Sequence, residues 1–429
     1  MDRSRAAVVA VCLATAVAAC GSHPVETKFQ GVGSTVVFGS HQALSGPASP
    51  GYREISGASA DFFSYVNDHG GVYGRTLRMI TMNDAYDPTH ALSDVQQLVL
   101  YNDVFGIFEG LGTAAHSQVK PFLNAYQVPD LFVASPCPCW TDGNADPFTY
   151  GWQPTGTVEG KILGWYIHRH FPGQKVGVLY QDDEAGRSGL AGIRDEVPQV
   201  VAHQPYRAGA TTLTRQLRAI KKSGATVLVD FTLPTYTALG QLTSLKIGYS
   251  PHLAVWSGGA DPVTVARMIN VLSAGAFHGY GLIEDAITDT YLPPITDTSN
   301  PWIRLFRRIE HKYAPGRLFD SNIEYGLASA YTVVQALRAA GANLTRQGLI
   351  NAINRKGSSW RGPGLVPLHY SRSDHAGYSG AQLGHIRSGR LAVFGTPMVT
   401  TTRAHSPVTP YRGHQSPPPP NGFPGATSG

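Results

Sequence analysis

Short apolar runs alternate with stretches of helical periodicity, twice over, and this alternation constrains the fold more than any other feature. Val36–Phe38 reads as a strand and runs into a Gly/Ser/Pro-rich loop, Ser40–Tyr52. Arg53–His69 reads as a helix with Ile55, Ala58, Phe62, Tyr65 and Val66 near one face, and Gly70-Gly71 stops it. Strands over Leu77–Thr81, Val104–Phe108 and Leu131–Ala134 then alternate with helices over His90–Tyr101 and Ala114–Tyr126. A β-α-β-α-β-α-β series predicts a doubly wound α/β unit with a parallel sheet. The pattern restarts with a helix over Val158–His170. Strands over Lys175–Tyr180, Thr226–Asp230 and His252–Trp256 follow, separated by helices, and Phe277–Ile283 reads as extended chain running back. Two successive Rossmann-like sheets predict two lobes with a cleft between them.

The 429-residue chain, 42% hydrophobic and 15% charged, has ample material for two cores. Its net charge of +5 is dispersed, with no block of five like charges, so no nucleic-acid partner is expected. Arg3 and Arg5 precede an uncharged, mostly apolar run, Ala6–Ala19. That run is shorter than the roughly 20 residues a membrane span requires and has the length of a secretory h-region. It ends in Val17-Ala18-Ala19-Cys20-Gly21, which resembles a bacterial lipobox. The resemblance implies a signal peptide over 1–19 and a lipid on Cys20, holding the protein on the outer face of the cell membrane. Residues 20–35 read as a tether and 399–429 as a Pro-rich disordered tail. Cys12 leaves with the signal, so Cys137 and Cys139 are the remaining pair, standing as two thiols or as a strained disulfide. A structural zinc needs about four ligands, and a second pair is not nearby, so no metal is expected.

Specific residues sit at the strand ends. Ala43-Leu44-Ser45-Gly46-Pro47 follows the first strand, and Asn67-Asp68-His69-Gly70-Gly71-Val72-Tyr73-Gly74-Arg75 follows the first helix. Asn83-Asp84-Ala85-Tyr86-Asp87-Pro88, Gly110-Leu111-Gly112-Thr113, Val128-Pro129-Asp130-Leu131-Phe132 and Gln181-Asp182-Asp183-Glu184-Ala185-Gly186 come in order after them. Taken together, over about 36–398, this set resembles the type I periplasmic binding proteins of the leucine/isoleucine/valine group, the solute-binding components of ABC importers. The resemblance implies two Rossmann-like lobes joined by a hinge that the chain crosses three times. By analogy the N-lobe covers 36–154 plus 282–377, and the C-lobe covers 155–281 plus 378–398, with Gly380–Phe394 as a returning hairpin. It also implies a small-molecule solute in the cleft and, as partners, a permease and ATPase in the membrane.

Gly112 and Thr113 open a helix at the carboxyl edge of the first sheet, where free N–H groups and the helix dipole suit a carboxylate. Thr113 serves there as a solute contact or as a simple cap. Ser135 and Cys137 occupy the second contact loop, and Tyr52 is a candidate aromatic wall. In the C-lobe, Leu233 stands where amino-acid binders hold a Tyr, and Trp256 offers a large apolar surface. The segment Ser257-Gly258-Gly259 lacks the acid that pairs with a solute ammonium in those binders. An α-amino acid is then disfavoured unless Asp183 or Glu284 supplies the charge, and an amide or an aromatic carboxylate suits the cleft better. Asp182, Asp183 and Glu184 otherwise read as solvated loop charges.

Enzyme signatures are missing. Gly110-Leu111-Gly112 is part of a dinucleotide loop, but Ala115 holds the third glycine position. The sequence has no Walker A, G-x-S-x-G or H-E-x-x-H motif. The expectation is therefore a non-enzymatic solute-binding lipoprotein without cofactor. A sensor lipoprotein on the same fold is the alternative, and a Rossmann-like enzyme a remote one.

Overall fold

The computed structural model describes residues 33–277 and 279–425, so the signal, Cys20 and most of the tether lie outside the described residues. In the first lobe, β1 (Thr35–Gln42), β2 (Thr76–Asn83), β3 (Gly106–Phe108), β4 (Asp130–Val133) and β5 (Thr149–Gly151) form a parallel sheet in the order β2-β1-β3-β4-β5. The short α1 (Ser49–Tyr52) follows β1, and α2 (Ile55–Asp68), α3 (Pro88–Leu100) and α4 (Thr113–Ala125) link the strands. Helix α2 buries Ile55, Ala58, Phe62, Phe63 and Val66 at three- and four-residue spacing, and Phe63 meets Phe38 and Phe108 of the sheet. The Asp87 carboxylate accepts from the Thr89 and His90 amides, with Pro88 at the first helical position, which fixes the start of α3.

The second lobe adds α5 (Gly156–His170), β6 (Val176–Gln181), α6 (Glu184–Glu196), β7 (Val200–Tyr206), α7 (Thr214–Lys222), β8 (Val227–Phe231), α8 (Pro234–Lys246), β9 (His252–Val255), α9 (Pro262–Leu272) and β10 (Ile287–Thr290). The chain then returns to the first lobe. There α10 (Pro301–Tyr313), α11 (Ser321–Ala340) and α12 (Arg346–Lys356) precede a small antiparallel ribbon of β11 (Leu368–His369) and β12 (Gly377–Tyr378). Helices α10 and α11 pack on α2. The hairpin β13 (Gly380–Arg387) and β14 (Arg390–Val393) closes the second sheet against β10, followed by β15 (Met398–Val399) and β16 (Thr409–Pro410).

Two parts of the sequence reading are corrected. The extended segment anticipated at Phe277–Ile283 includes a tight turn, Gly279–Leu282, and the strand is β10, pairing with β9 and β13. The second lobe therefore keeps the chain to Thr290 rather than 281. Three of the four residues in β10 are polar although the strand is buried, so it offers no apolar run to read. The tail over 399–425 is not disordered. Lys161 donates to Arg403 O and Ser406 Oγ on the second lobe, whereas Ser416 O and Asn421 O accept from Trp302 Nε1 and Tyr65 Oη on the first. Composition pointed to disorder because it gave no weight to the sparse anchors Val408 and Phe423, both buried. Among the described residues no helix is long and apolar enough to cross a membrane.

Candidate functional site

The carboxyl edge of the first sheet is held by a buried chain of side chains. His41, at the end of β1, bonds Asp84 Oδ2 through Nδ1 (2.7 Å) and His116 Nδ1 through Nε2 (2.8 Å). His116 Nε2 reaches Asp130 Oδ2 at 2.9 Å, and Thr149 donates to the same oxygen. All four chain members are fully buried, and burial lowers the His41 pKa. The chain ties β1, β4, α4 and the loop after β2 together behind the Gly110–Thr113 loop. A Cβ on Gly110 would collide with both imidazoles. Sequence reasoning missed this network because its members are far apart in the chain.

In front of it, Gly112 caps α4 with φ 93°, and a Cβ there would lie 2.5 Å from the Tyr86 ring. Thr113 is the first helical residue rather than the cap, and its hydroxyl is 2.8 Å from Ser135 Oγ. Tyr52 closes the first-lobe wall and donates from Oη to Gly258 O across the cleft at 2.6 Å.

The second lobe contributes the end of β6, the start of α8 and the turn after β9. Asp183 is buried rather than solvated. Its Oδ1 accepts from Gly186 N to cap α6, and its Oδ2 takes Gln181 Nε2–H at 2.6 Å. Burial pushes its carboxyl up, while those bonds and the Thr113 hydroxyl act in the opposite direction. Asp182 and Glu184 are surface charges paired with Arg187. Leu233 is buried at the cap of α8, and Trp256 donates from Nε1 to Thr232 O at 2.7 Å.

These elements enclose a cavity of about 170 Å³ between the lobes. Tyr52, Gly112, Thr113, Ser135, Asp183, Leu233 and Trp256 all line it. Cys137 does not. It is buried beside Ser135 and joined to Cys139 by a disulfide, so its sulfur is turned to the adjoining short helix rather than the cavity. Glu284 is also away from the cavity, and accepts from the Ser388 amide. Residues the sequence reading did not nominate complete the wall: Tyr86, Gln181, Asp261, Asp289, Tyr291, Ser321, Glu324 and Tyr325. One signal was available, an acid at Glu324 within an otherwise apolar helical face.

The lobes touch directly. Besides Tyr52, Gln181 Nε2 donates to Tyr86 Oη (3.1 Å) and Arg267 Nη2 to Pro50 O (2.8 Å), while Ser321 Oγ donates to Asp261 Oδ2 (2.6 Å). A Cβ on Gly51 would meet Pro234 at 2.9 Å. The arrangement can surround a small molecule from both lobes. Among the described residues no group of three or more His, Cys, Asp or Glu is placed to hold a metal ion.

Comparison with known proteins agrees with this geometry. A family described as periplasmic binding protein matches residues 35–390. The Leu/Ile/Val-binding protein of Escherichia coli (strain K12) is 25% identical over 197 residues, 44% of this chain and 51% of that protein. Leu/Ile/Val-binding protein homolog 7 of Brucella abortus (strain 2308) is 23% identical over 263 residues, 58% of this chain and 63% of that one. The matched region thus spans about half the length of the first of these relatives. A branched chain amino acid ABC transporter structure from Thermus thermophilus with bound valine superposes with TM-score 0.74 at 19% identity, covering 86% of this chain and 97% of that one. A fatty acid ABC transporter substrate-binding protein from Thermomonospora curvata gives 0.72 at 21% identity, covering 88% and 96%. The chain belongs to the periplasmic binding protein family and has the type I fold of its Leu/Ile/Val-binding members.

Proposed function

We propose that the protein is the extracytoplasmic, lipid-anchored solute receptor of an ABC importer. It captures a small organic solute between its lobes and delivers it to a membrane permease driven by an ATPase, with no chemistry on the solute. The observation that carries this reading is the interlobe cavity, walled by both lobes and bridged by direct hydrogen bonds such as Tyr52 to Gly258 O. Tyr52, Gly112, Thr113, Ser135, Asp183, Leu233 and Trp256 are its proposed solute contacts. The Thermus thermophilus relative with bound valine and the fatty acid substrate-binding protein of Thermomonospora curvata support a solute with an apolar body.

Thermal-shift and calorimetric screening of amino acids, amides, carboxylates, alcohols and amines tests the reading. A true solute at 100 times its Kd stabilises the protein by about 2.7 kcal/mol. A screen in which no class binds would overturn it. The anchor is tested separately. Cys20→Ala is expected to leave unprocessed precursor or soluble protein that takes up no acyl label. Normal labelling and membrane retention of that variant would remove the lipid assignment.

A further inference from the structure

The buried chain behind the Gly110–Thr113 loop has more contacts than its groups have hydrogens when each holds its ordinary charge. Asp84, His41, His116 and Asp130 make three contacts in line, at 2.7, 2.8 and 2.9 Å. The imidazole planes differ by 11° and their centroids are 5.1 Å apart, the spacing of two rings joined edge to edge through the His41 Nε2 to His116 Nδ1 bond. Each contact needs one hydrogen. An ionised carboxylate brings none and a neutral imidazole brings one, so two neutral rings supply two hydrogens for three contacts. The third is an additional proton. Without it, two lone pairs face each other at hydrogen-bond distance among side chains that are all fully buried.

Burial lowers the His41 pKa, which makes His41 the neutral ring, donating from Nδ1 to Asp84 and accepting at Nε2. His116 then donates from both nitrogens, to His41 and to Asp130. The charged groups around the pair favour this arrangement. Asp84 comes from the loop after β2 and Asp130 from β4, and Asp94 of α3 lies within electrostatic reach of Asp84. Lys120 of α4 is paired with Asp146 and sits over Trp140, the ring that closes against His116. Glu109, after β3, turns away to Ser59 and Ser329. Two carboxylates thus flank the rings, and a positive charge between them is stabilised.

The chain leads to the cleft. Asp84 Oδ1 accepts from the Tyr86 amide at 2.7 Å, Tyr86 Oη accepts from Gln181 Nε2, and Gln181 also donates to Asp183. A continuous line of bonded groups therefore runs from Asp130 in the first sheet to Asp183 in the second lobe, and the additional proton lies on it. Gly110 rests on the two imidazoles and Gly112 on the Tyr86 ring, with no room for a Cβ at either, so a shift of the rings reaches the loop that carries Thr113.

We propose that His116 is held as a buried imidazolium whose proton positions Tyr86 and its contact to Gln181, so that the cleft wall is held while the proton is bound and released as pH rises. The consequence for solute affinity rests on the receptor reading, whereas the proton and the Tyr86 position do not.

The test uses the full chain without solute. Nitrogen NMR of isotope-labelled histidine distinguishes protonated from bare ring nitrogens, and scalar coupling across the His41–His116 bond identifies the pair. At about pH 7.5, roughly one unit above the ordinary imidazole value, three of the pair's four ring nitrogens are expected to carry hydrogen. In protein labelled with 3-fluorotyrosine, the Tyr86 fluorine signal is assigned by its loss in Tyr86→Phe. It is expected to move as pH rises, with the same midpoint as the loss of the third hydrogen. In His116→Gln that midpoint should vanish, since an amide has no such proton to lose. Two bare nitrogens in the pair at about pH 7.5 overturn the imidazolium. A Tyr86 signal that stays fixed while the third hydrogen leaves overturns the link to the cleft, as does an unchanged midpoint in His116→Gln. A third hydrogen that leaves only when the protein unfolds overturns the control by pH. Should His116→Gln fail to fold, the two titrations of the unmodified chain decide alone. Failure of these solute-free readouts leaves the receptor reading standing, and a solute screen without a hit leaves the imidazolium standing.

Discussion

Thr113 carries its hydroxyl on the first turn of α4, 2.8 Å from Ser135 and on the cavity wall. Its isostere Val keeps the shape and removes the donor. For a solute found by the screen, Thr113→Val is expected to weaken binding about 3- to 100-fold, the range of one neutral to charge-assisted hydrogen bond. The solute-free protein loses the bonds to Ser135 and to the Asp183 carboxyl, each worth about 0.5–1.5 kcal/mol. Unchanged affinity by calorimetry would make the hydroxyl pair purely structural. Glu109 poses a different question at the same scale. It is fully buried under Ser59 and Ser329, and burial pushes its carboxyl up to about 8 despite those two hydroxyl donors. The folded state therefore holds this proton where the unfolded state has released it. Its contribution to stability is intact below about pH 4.5 and is lost progressively as pH rises to about 8. Glu109→Gln cannot ionise. Its stability relative to the parent is expected to climb by on the order of 3 kcal/mol between about pH 5 and pH 8, read by urea melts at both ends. Parallel profiles would show that Glu109 is already ionised at the lower pH. Residues of this kind divide by how the sequence reveals them. Thr113 was legible because it follows a strand and opens a helix. His41, His116 and Glu109 were not, because their partners lie 14 to 220 positions away on other elements.

At the scale of elements, the strands that carried apolar runs were legible and those that did not were missed. β6, β8 and β9 are central and almost wholly buried, so Val176–Leu179 and Val227–Val229 stand out. β7 is the edge strand, half-exposed and containing Pro205, which an edge tolerates because one side makes no ladder bonds. β10 is buried but polar, and its Asp289 now appears as a cavity residue rather than a poor strand former. Helix α11 starts at Ser321, four residues before the apolar pattern begins, because Asp320 accepts from the Asn322 and Ile323 amides. That cap carries Ser321 and Glu324 onto the cavity wall. The α4 cap is the most demanding element end. Gly112 combines φ 93° with a ring contact that leaves no room for a methyl group. Gly112→Ala is expected to cost about 1–3 kcal/mol in stability from backbone strain. It should also displace Tyr86 and so weaken solute binding more than Thr113→Val does. Calorimetry and thermal melts on the two variants check both parts. Equal affinities would mean the loop accommodates the methyl without moving the ring.

Across the whole molecule, the C-terminal segment links the lobes in addition to the three hinge crossings. β16 lies in the second sheet, and Lys161, itself paired with Asp195, holds Arg403 and Ser406 to that lobe. Beyond Tyr411 the chain lies on the first lobe. Gln415 accepts from Asn300 and donates to Pro363 O, Ser416 O accepts from Trp302, and Phe423 is buried against Tyr65 and His69 under Arg338. A proline run suits this task, since it is extended and its carbonyls remain available as acceptors. The capture and release proposed above require the lobes to separate, and separation would load the segment that spans them. Ending the chain after Tyr411 is expected to lower Tm, with Phe423 alone contributing about 1.5–3 kcal/mol of burial. It is also expected to speed solute release, because the closed form loses a strap that the hinge does not replace. The point variant Phe423→Ala separates the two effects by removing the anchor while keeping the backbone path. If truncation lowers Tm but leaves the solute off-rate unchanged in stopped-flow, the segment stabilises the first lobe alone. If neither quantity moves, the segment is not a strap.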